Sequence, residues 1–189
     1  SREAIAEFQI ITNLFDITQG RSLGVQVQAI SKSGTNNVHG SAYGYFRDDK
    51  WNSADFVAKR VLPYQNQQTG ASLGGPIKKD KLHFFGSVER VLNDRASTIN
   101  IPARPEFNAS PTTEDRVWNW IVRLDHQINA NHSWNVRWLK ELSPQRNQII
   151  PDARNLPTTQ AASREESDLD QTVAASINSA FGNTRFNTF

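Results

Sequence analysis

Residues 117–125 read Val117-Trp118-Asn119-Trp120-Ile121-Val122-Arg123-Leu124-Asp125, and this stretch decides the fold. Its even-numbered positions are all apolar, whereas the odd-numbered positions include an amide, a guanidinium and a carboxylate. Alternate residues of a β-strand point to opposite faces of a sheet, so this period of two predicts a strand with one apolar and one polar face. After a polar turn at 127–132 the pattern returns over 133–140, with Trp134, Val136 and Trp138 set against Asn135 and Arg137. Together the two stretches predict an antiparallel hairpin.

The same alternation recurs on both sides of this hairpin, while helical periodicity is scarce. It predicts further strands at 5–12, 24–30, 38–47, 67–73, 82–90 and 169–179, with a last strand beginning after a turn at 181–183. The sequence therefore predicts an all-β fold.

The predicted connections alternate between short and long. Short turns fall at 74–81, 127–132 and 181–183, and long loops that hold most of the prolines fall at 48–66, 93–114 and 142–166. Outer-membrane β-barrels have short periplasmic turns and long extracellular loops. The loops of a soluble β-sandwich rarely reach about 20 residues without structure of their own. The connections therefore favour a membrane barrel.

Composition excludes several other classes. Only 37% of the 189 residues are hydrophobic, and no apolar run approaches the length of about 20 residues that a transmembrane helix requires. A barrel strand needs only about 10 residues, of which alternate ones face lipid. The absence of cysteine excludes a disulfide scaffold, a Cys-ligated metal and a thiol nucleophile. The net charge of +2 is scattered along the chain, so no nucleic-acid partner is expected.

Four tryptophans lie on the predicted apolar faces of the 117–140 hairpin, namely Trp118, Trp120, Trp134 and Trp138. Tryptophan is enriched where membrane meets water, because one end of its ring system is apolar and the other can donate a hydrogen bond. An aromatic girdle of a barrel would explain all four. The alternative is a soluble or surface β-sandwich, in which these rings fill the core and the chain serves as a binding or adhesion module for glycan or protein.

Two blocks of sequence resemble the TonB-dependent outer-membrane transporters, specifically the Oar-like group that often carries a carboxypeptidase-regulatory-like domain. The first block runs Ser31-Lys32-Ser33-Gly34-Thr35-Asn36 and continues into His39-Gly40-Ser41. The second runs Leu73-Gly74-Gly75-Pro76-Ile77 with Lys79-Asp80-Lys81 and Phe84-Phe85-Gly86-Ser87. Order and spacing agree over about the first half of the chain, whereas the second half resembles the family only as alternating strands.

The resemblance implies that residues 1–37 form the end of a plug domain. Residues 38–189 would form the first five to six strands of a transmembrane barrel, which in such transporters has 22 strands around a plugged lumen. The chain contains no methionine and stops within a predicted strand, so we expect it to be an internal fragment. The coupling box and signal peptide of the family would then lie outside it.

The implied function is energy-coupled uptake of a large or scarce ligand across the outer membrane of a Gram-negative bacterium, with no enzymatic step and no cofactor. The expected partners are outer-membrane lipid, a TonB-type inner-membrane complex that contacts a region outside the fragment, and an unidentified ligand. For Oar-like members the ligand classes are carbohydrate, peptide or metal chelate, and roles in protein export or adhesion also stay open.

The candidate ligand-binding residues are those whose alternation points them into the lumen, namely Arg123, Asp125, Asn135 and Arg137. Contact with the plug is the competing role for the same side chains. Neither a metal site nor a catalytic site is predicted. The four histidines lack a tight ligand spacing, the glycines at 70–75 are not followed by the Gly-Lys-Ser/Thr of a phosphate loop, and no nucleophile elbow is present. A hydrolase on a β-scaffold, the remaining alternative, would need such a constellation.

Overall fold

A computed structural model describes residues 2–12, 25–56, 58–149, 158–182 and 185–188. The predicted all-β fold is confirmed, and every strand pairing is antiparallel. A small sheet pairs β1 (Ile5–Thr12) with β2 (Val25–Ser31). A large sheet contains β3 (His39–Asp48), β4 (Tyr64–Lys78), β5 (Leu82–Ala96), β6 (Thr112–Asn129), β7 (His132–Gln148), β8 (Arg164–Phe181) and β9 (Arg185–Thr188). Short 3₁₀ turns lie at Arg2–Ala4, Asp49–Trp51, Pro105–Phe107 and Gln160–Ala162.

The large sheet is a meander, because each strand pairs with the next one along the chain. Its described part has seven strands, more than the five to six barrel strands expected from the family resemblance. The difference lies at β9, which forms a short ladder with β8 from Asn178↔Thr188 to Phe181↔Arg185. The sequence pattern showed only where this strand begins.

The strands β4 to β8 are longer than predicted and the connections between them correspondingly shorter, whereas β1, β2 and β3 have the predicted lengths. The segment 74–78, predicted as part of a turn, continues β4, because Gly74 and Gly75 pair with Phe85 and Phe84. The turn itself contains Asp80, whose φ of 61° is left-handed. At the other end the long connections span 49–63, 97–111 and 149–163. Polar residues there extend the strands rather than end them, since pairs such as Asn93↔Asp115 satisfy each other across the ladder.

The register places side chains on the two faces as alternation predicts. Trp120 lies opposite Lys140, Val122 opposite Trp138 and His126 opposite Trp134, so the four tryptophans share one face. We call this the outer face. On the other, inner face, Arg123 lies opposite Arg137 and Asp125 opposite Asn135.

The small sheet and its preceding 3₁₀ turn lie against the inner face. Ala4, Phe85 and Ile121 form a buried apolar cluster there, with Leu139 packed against it, and Phe85 is only 1% exposed. On the outer face, by contrast, large apolar side chains remain open, among them Val122, Leu169, Val173 and Ile177. In a β-sandwich the apolar faces of two sheets pack together. Within the described residues no second sheet covers the tryptophan face, so the packing of a sandwich is not seen there.

None of the helices in the described ranges combines the length and apolar character needed to cross a bilayer.

Candidate functional site on the inner face

Two arginines of the barrel wall converge on the last residue of the small sheet. The Nη1 of Arg123 donates to the carbonyl oxygen of Ser31 at 3.0 Å and to its Oγ at 3.1 Å. The Nη1 of Arg137 donates to the same Oγ at 3.4 Å. Ser31 is only 7% exposed. These contacts join β2 to β6 and β7 through charge-assisted hydrogen bonds, which are stronger than neutral ones.

Asp125 holds the Arg123 guanidinium in place. Nη2 of Arg123 donates to Oδ1 of Asp125 at 2.8 Å, and Nε donates to Oδ2 at 2.9 Å, so the pair is bidentate. Alternation along β6 makes this possible, because residues two apart point to the same face. The carboxylate balances the arginine charge and leaves the third guanidinium nitrogen free to reach Ser31.

Asn135 takes no part in this cluster. Its Nδ2 donates to Oγ of Ser176 on β8 at 2.6 Å. The structure therefore brings three of the four predicted residues together at Ser31, while the fourth forms a separate contact between neighbouring strands.

A second contact joins the connector after β2 to the short β4–β5 turn. The side-chain oxygen Oδ1 of Asn36 accepts hydrogen bonds from the Asp80 backbone N–H at 2.8 Å and from His83 Nε2 at 2.9 Å. The Nδ2 of Asn36 donates to Asp80 Oδ1. A β-carbon on Gly34 would lie 2.2 Å from the Phe84 carbonyl oxygen. We call these five residues the latch. The latch joins the two sequence blocks that carried the family resemblance, a contact that sequence reasoning missed.

Polar side chains also link four strands near the long connections. Asn66 Nδ2 donates to Asn93 Oδ1 at 3.3 Å, and Asn93 Nδ2 donates to Asp115 Oδ2 at 3.2 Å. Gln148 Nε2 completes the row by donating to Asp115 Oδ1 at 2.8 Å. Sequence reasoning assigned Asn66, Asn93 and Gln148 to loops and placed Asp115 just before a strand. For Asn66, Asn93 and Asp115 the available signal was a spacing that continues the inner-face alternation, whereas Gln148 follows a register shift after Gln145 that no pattern predicted.

A cavity of about 350 Å³ lies between the small sheet and the barrel wall. Apolar side chains form most of its lining, including Ala4, Ile5, Ala29, Ile121 and Leu139. The polar groups among them include Ser31, Ser87, Asn119, Arg137, Glu141 and Thr172. The Oγ of Ser87 and the Nε of Arg137 are buried without a hydrogen-bond partner among the described residues. The cavity therefore combines a mainly apolar lining with a few polar groups, two of which carry an atom without a partner in the described part of the chain.

Other titratable groups have structural roles. Asp48 caps the 3₁₀ turn Asp49–Trp51, because its side chain accepts a hydrogen bond from the Lys50 backbone N–H at 3.0 Å. This hydrogen bond holds the pKa of the Asp48 carboxyl below its usual range. His126 packs edge-on against Trp134, and His132 does so against Phe181. Within the described ranges, no three histidine or carboxylate residues are grouped as metal ligands.

Comparison with known proteins agrees with this architecture. A family described as "Outer membrane beta barrel domain" matches residues 30–106, which run from the end of β2 into the connection after β5. The TonB-dependent transporter Oar of Myxococcus xanthus is 36% identical over 167 aligned residues, which cover 70% of this chain. The chain spans only 15% of the length of that relative. No solved structure matches the chain significantly.

The antiparallel meander, its tryptophan face and the family match together define the class: the chain is part of an outer-membrane β-barrel of a Gram-negative bacterium. Within that class, the resemblance to the TonB-dependent transporters of the Oar-like group is confirmed, and the chain belongs to that family.

Proposed function

We propose that this chain contributes the end of the plug and the first strands of the barrel to a transporter that imports a large or scarce ligand by coupling to a TonB-type complex. The small sheet is the plug portion, and β3–β9 belong to a barrel of about 22 strands. The observation that carries the proposal is the docking of β2 on the wall, where Arg123 and Arg137 bind Ser31.

The chemistry of this contact suits a plug that must be both held and released. The bonds to Ser31 are polar, and the apolar cluster near them is small, with Ala4 against Phe85 and Ile121. Hydrogen bonds that involve a charged group contribute about 1.5–3 kcal/mol each, because their partners bind water again when the contact opens. A pull on the plug from the periplasm would therefore break a few hydrogen bonds and expose this small cluster rather than a large core. Arg123, Asp125 and Arg137 act here as plug-holding residues, and Asn135 stabilises the wall.

The orientation follows from the connections. The turns after β4, β6 and β8 face the periplasm, and the segments 49–63, 97–111 and 149–163 face the outside, where ligand binds. No bond is made or broken in such transport, so the protein is not an enzyme and needs no cofactor. The transported ligand belongs to one of the classes that Oar-like resemblance leaves open.

Uptake can be tested although the ligand is unidentified. Cells with and without the intact protein are grown in a complex medium, and depletion of the medium is followed by mass spectrometry. We expect at least one component to be depleted only when both the protein and the inner-membrane coupling complex are present. Equal depletion in all strains, or depletion that persists without the coupling complex, would refute energy-coupled uptake.

A further inference from the structure

The outer face of the large sheet carries two cations beside a pair of stacked tryptophans. Trp118 and Trp120 lie with ring centroids 5.6 Å apart and planes 7° from parallel. The Arg90 guanidinium lies 5.3 Å from the Trp118 ring centroid, and the Lys140 ammonium lies 5.4 Å from that of Trp120. We call these four residues the cation–tryptophan strip. It crosses β5, β6 and β7, with Arg90 opposite Trp118 and Lys140 opposite Trp120. Two strand spacings and an offset of two residues separate the backbones of the two cations by roughly 12 Å.

The strip lies at one end of the apolar band. On β6 the band begins near His126, which pairs with Trp134, and ends at Trp118, eight positions along the strand. At about 3.4 Å per residue and a tilt of about 40°, this distance corresponds to roughly 20 Å along the membrane normal. The lipid-facing band of such barrels is about 25 Å tall. Arg90 and Lys140 therefore reach the boundary between hydrocarbon and headgroups on the side of the long connections.

The charges of the strip are not neutralised within the described part of the protein. Neither Arg90 nor Lys140 has a carboxylate within ion-pair distance there. Arg116, the next outward residue on the same face of β6, differs, because it pairs with both Asp94 and Glu114. Arg116 is thus held between two carboxylates, whereas Arg90 and Lys140 have none among the described residues.

We propose that the cation–tryptophan strip binds the phosphorylated headgroup of a lipid in the outer leaflet. Arginine and lysine are the usual ligands of phosphate groups. Stacking on Trp118 and Trp120 limits where the two long side chains can place their charges. The indole rings themselves fit the headgroup boundary, where one part of each ring is apolar and one part is wet. The strip lies on β5, β6 and β7, and β4 and β8 flank these strands in the described sheet. The strands beside the strip are therefore present in this chain.

The test uses the intact protein purified from outer membranes in mild detergent. The amount of phosphorylated lipid that co-purifies is compared between the native protein and the double variant Arg90→Gln with Lys140→Gln. We expect the variant to retain at most about one tenth of the phosphorylated lipid that the native protein retains. The reason is that each basic residue at a membrane surface contributes substantially to anionic lipid binding. A matched control removes two charges at the other end of the sheet, through Lys79→Gln with Lys81→Gln, and should retain the native amount.

A conservative variant and a modified lipid complete the test. Arg90→Lys with Lys140→Arg should retain binding, and if the Gln variant fails to fold, this exchange still separates charge from packing. Lipid stripped of its phosphates should not rebind to delipidated native protein. Equal co-purification in the Gln variant and the control, or equal rebinding of dephosphorylated lipid, would overturn the proposal.

The inference rests on the orientation under the proposed function, which a separate measurement tests. This chain contributes no cysteine, so Asn100→Cys in the 97–111 connection and Lys79→Cys in the β4–β5 turn can each be probed in whole cells with a membrane-impermeant maleimide. Labelling of position 100 alone supports the orientation. If position 79 is labelled instead, the orientation is wrong. If the labelling holds but lipid retention does not change, only the strip proposal fails.

Discussion

At the residue scale, glycine matters most where another backbone approaches it. A β-carbon at Gly34 would meet the carbonyl oxygens of Phe84 and Gly75 at 2.2 and 2.8 Å. Backbone atoms cannot yield as the end of a flexible side chain can, so even the smallest side chain would push the connector off the wall. The close approach shows that the two blocks that resemble the family contact each other in the folded chain.

We therefore expect Gly34→Ala to lower the free energy of unfolding by about 1–3 kcal/mol, as overpacking usually does. Gly86→Ala is the matched control, because its new β-carbon would meet nothing closer than the Ile121 carbonyl oxygen at 3.9 Å. The measurement is urea unfolding of the intact barrel in lipid vesicles. Equal stability of the two variants would contradict the close approach at the latch.

Arg123 gives a second prediction at this scale. Arg123→Ala removes both bonds to Ser31 and leaves the Asp125 carboxylate without its bidentate partner. We expect faster hydrogen exchange in the amides of 25–31, with little change in the apolar band. Arg164→Ala, which alters an exposed side chain at the start of β8, is the control. Unchanged protection in β2 would mean that the arginines do not hold it.

At the element scale, the sequence predicted the apolar and polar faces of the 117–140 hairpin, but it did not predict where the strands end. Faces follow from a period of two, which most residues from Trp118 to Asp125 report, with Ile121 the apolar exception on the inner face. Ends are harder because polar residues extend a strand into water as readily as they form a loop. Asn93, assigned to a loop by its polarity, is paired with Asp115 in the sheet.

If the apolar outer face contacts lipid, the destabilisation caused by a charged substitution should depend on its depth in the bilayer. Val122 lies near the middle of the band, whereas Leu142 is paired with Trp118 at its edge. Val122→Arg should destabilise the barrel in a bilayer by about 2–4 kcal/mol, and Leu142→Arg by no more than about 1 kcal/mol. Unfolding free energies in vesicles would show the contrast. Equal costs at the two positions would mean that this face does not contact lipid.

At the scale of the whole molecule, the site is less predictable than the strands. Alternation alone directed Arg123, Asp125, Asn135 and Arg137 to the inner face. It could not show that Arg123 meets Ser31, which lies 92 positions earlier in the chain. Such a contact depends on how the small sheet lies against the wall, and no local pattern of residues records that arrangement. The contacts of the latch could not be predicted from the sequence for the same reason.

The chain by itself should not form a stable folded monomer. The described sheet is open, with β3 and β9 at its edges, and the smallest closed barrels of this type have eight strands. Unpaired backbone groups at an edge are very costly in lipid. We expect residues 1–189 expressed alone to aggregate in buffer and to show no heat-dependent gel shift after transfer to vesicles. A monomer that unfolds cooperatively in plain buffer would contradict this expectation.

The segment 32–38 between β2 and β3 limits how far the small sheet can move from the barrel wall. It has seven residues, and a fully extended chain covers at most about 3.5 Å per residue, so β2 can move no more than roughly 25 Å from the start of β3 while both stay folded. Asn36 and Gly34 shorten this reach as long as the latch is closed. The small sheet therefore stays tethered to the wall by this connector. Any passage that opens when the sheet moves must form within the extended length of the connector.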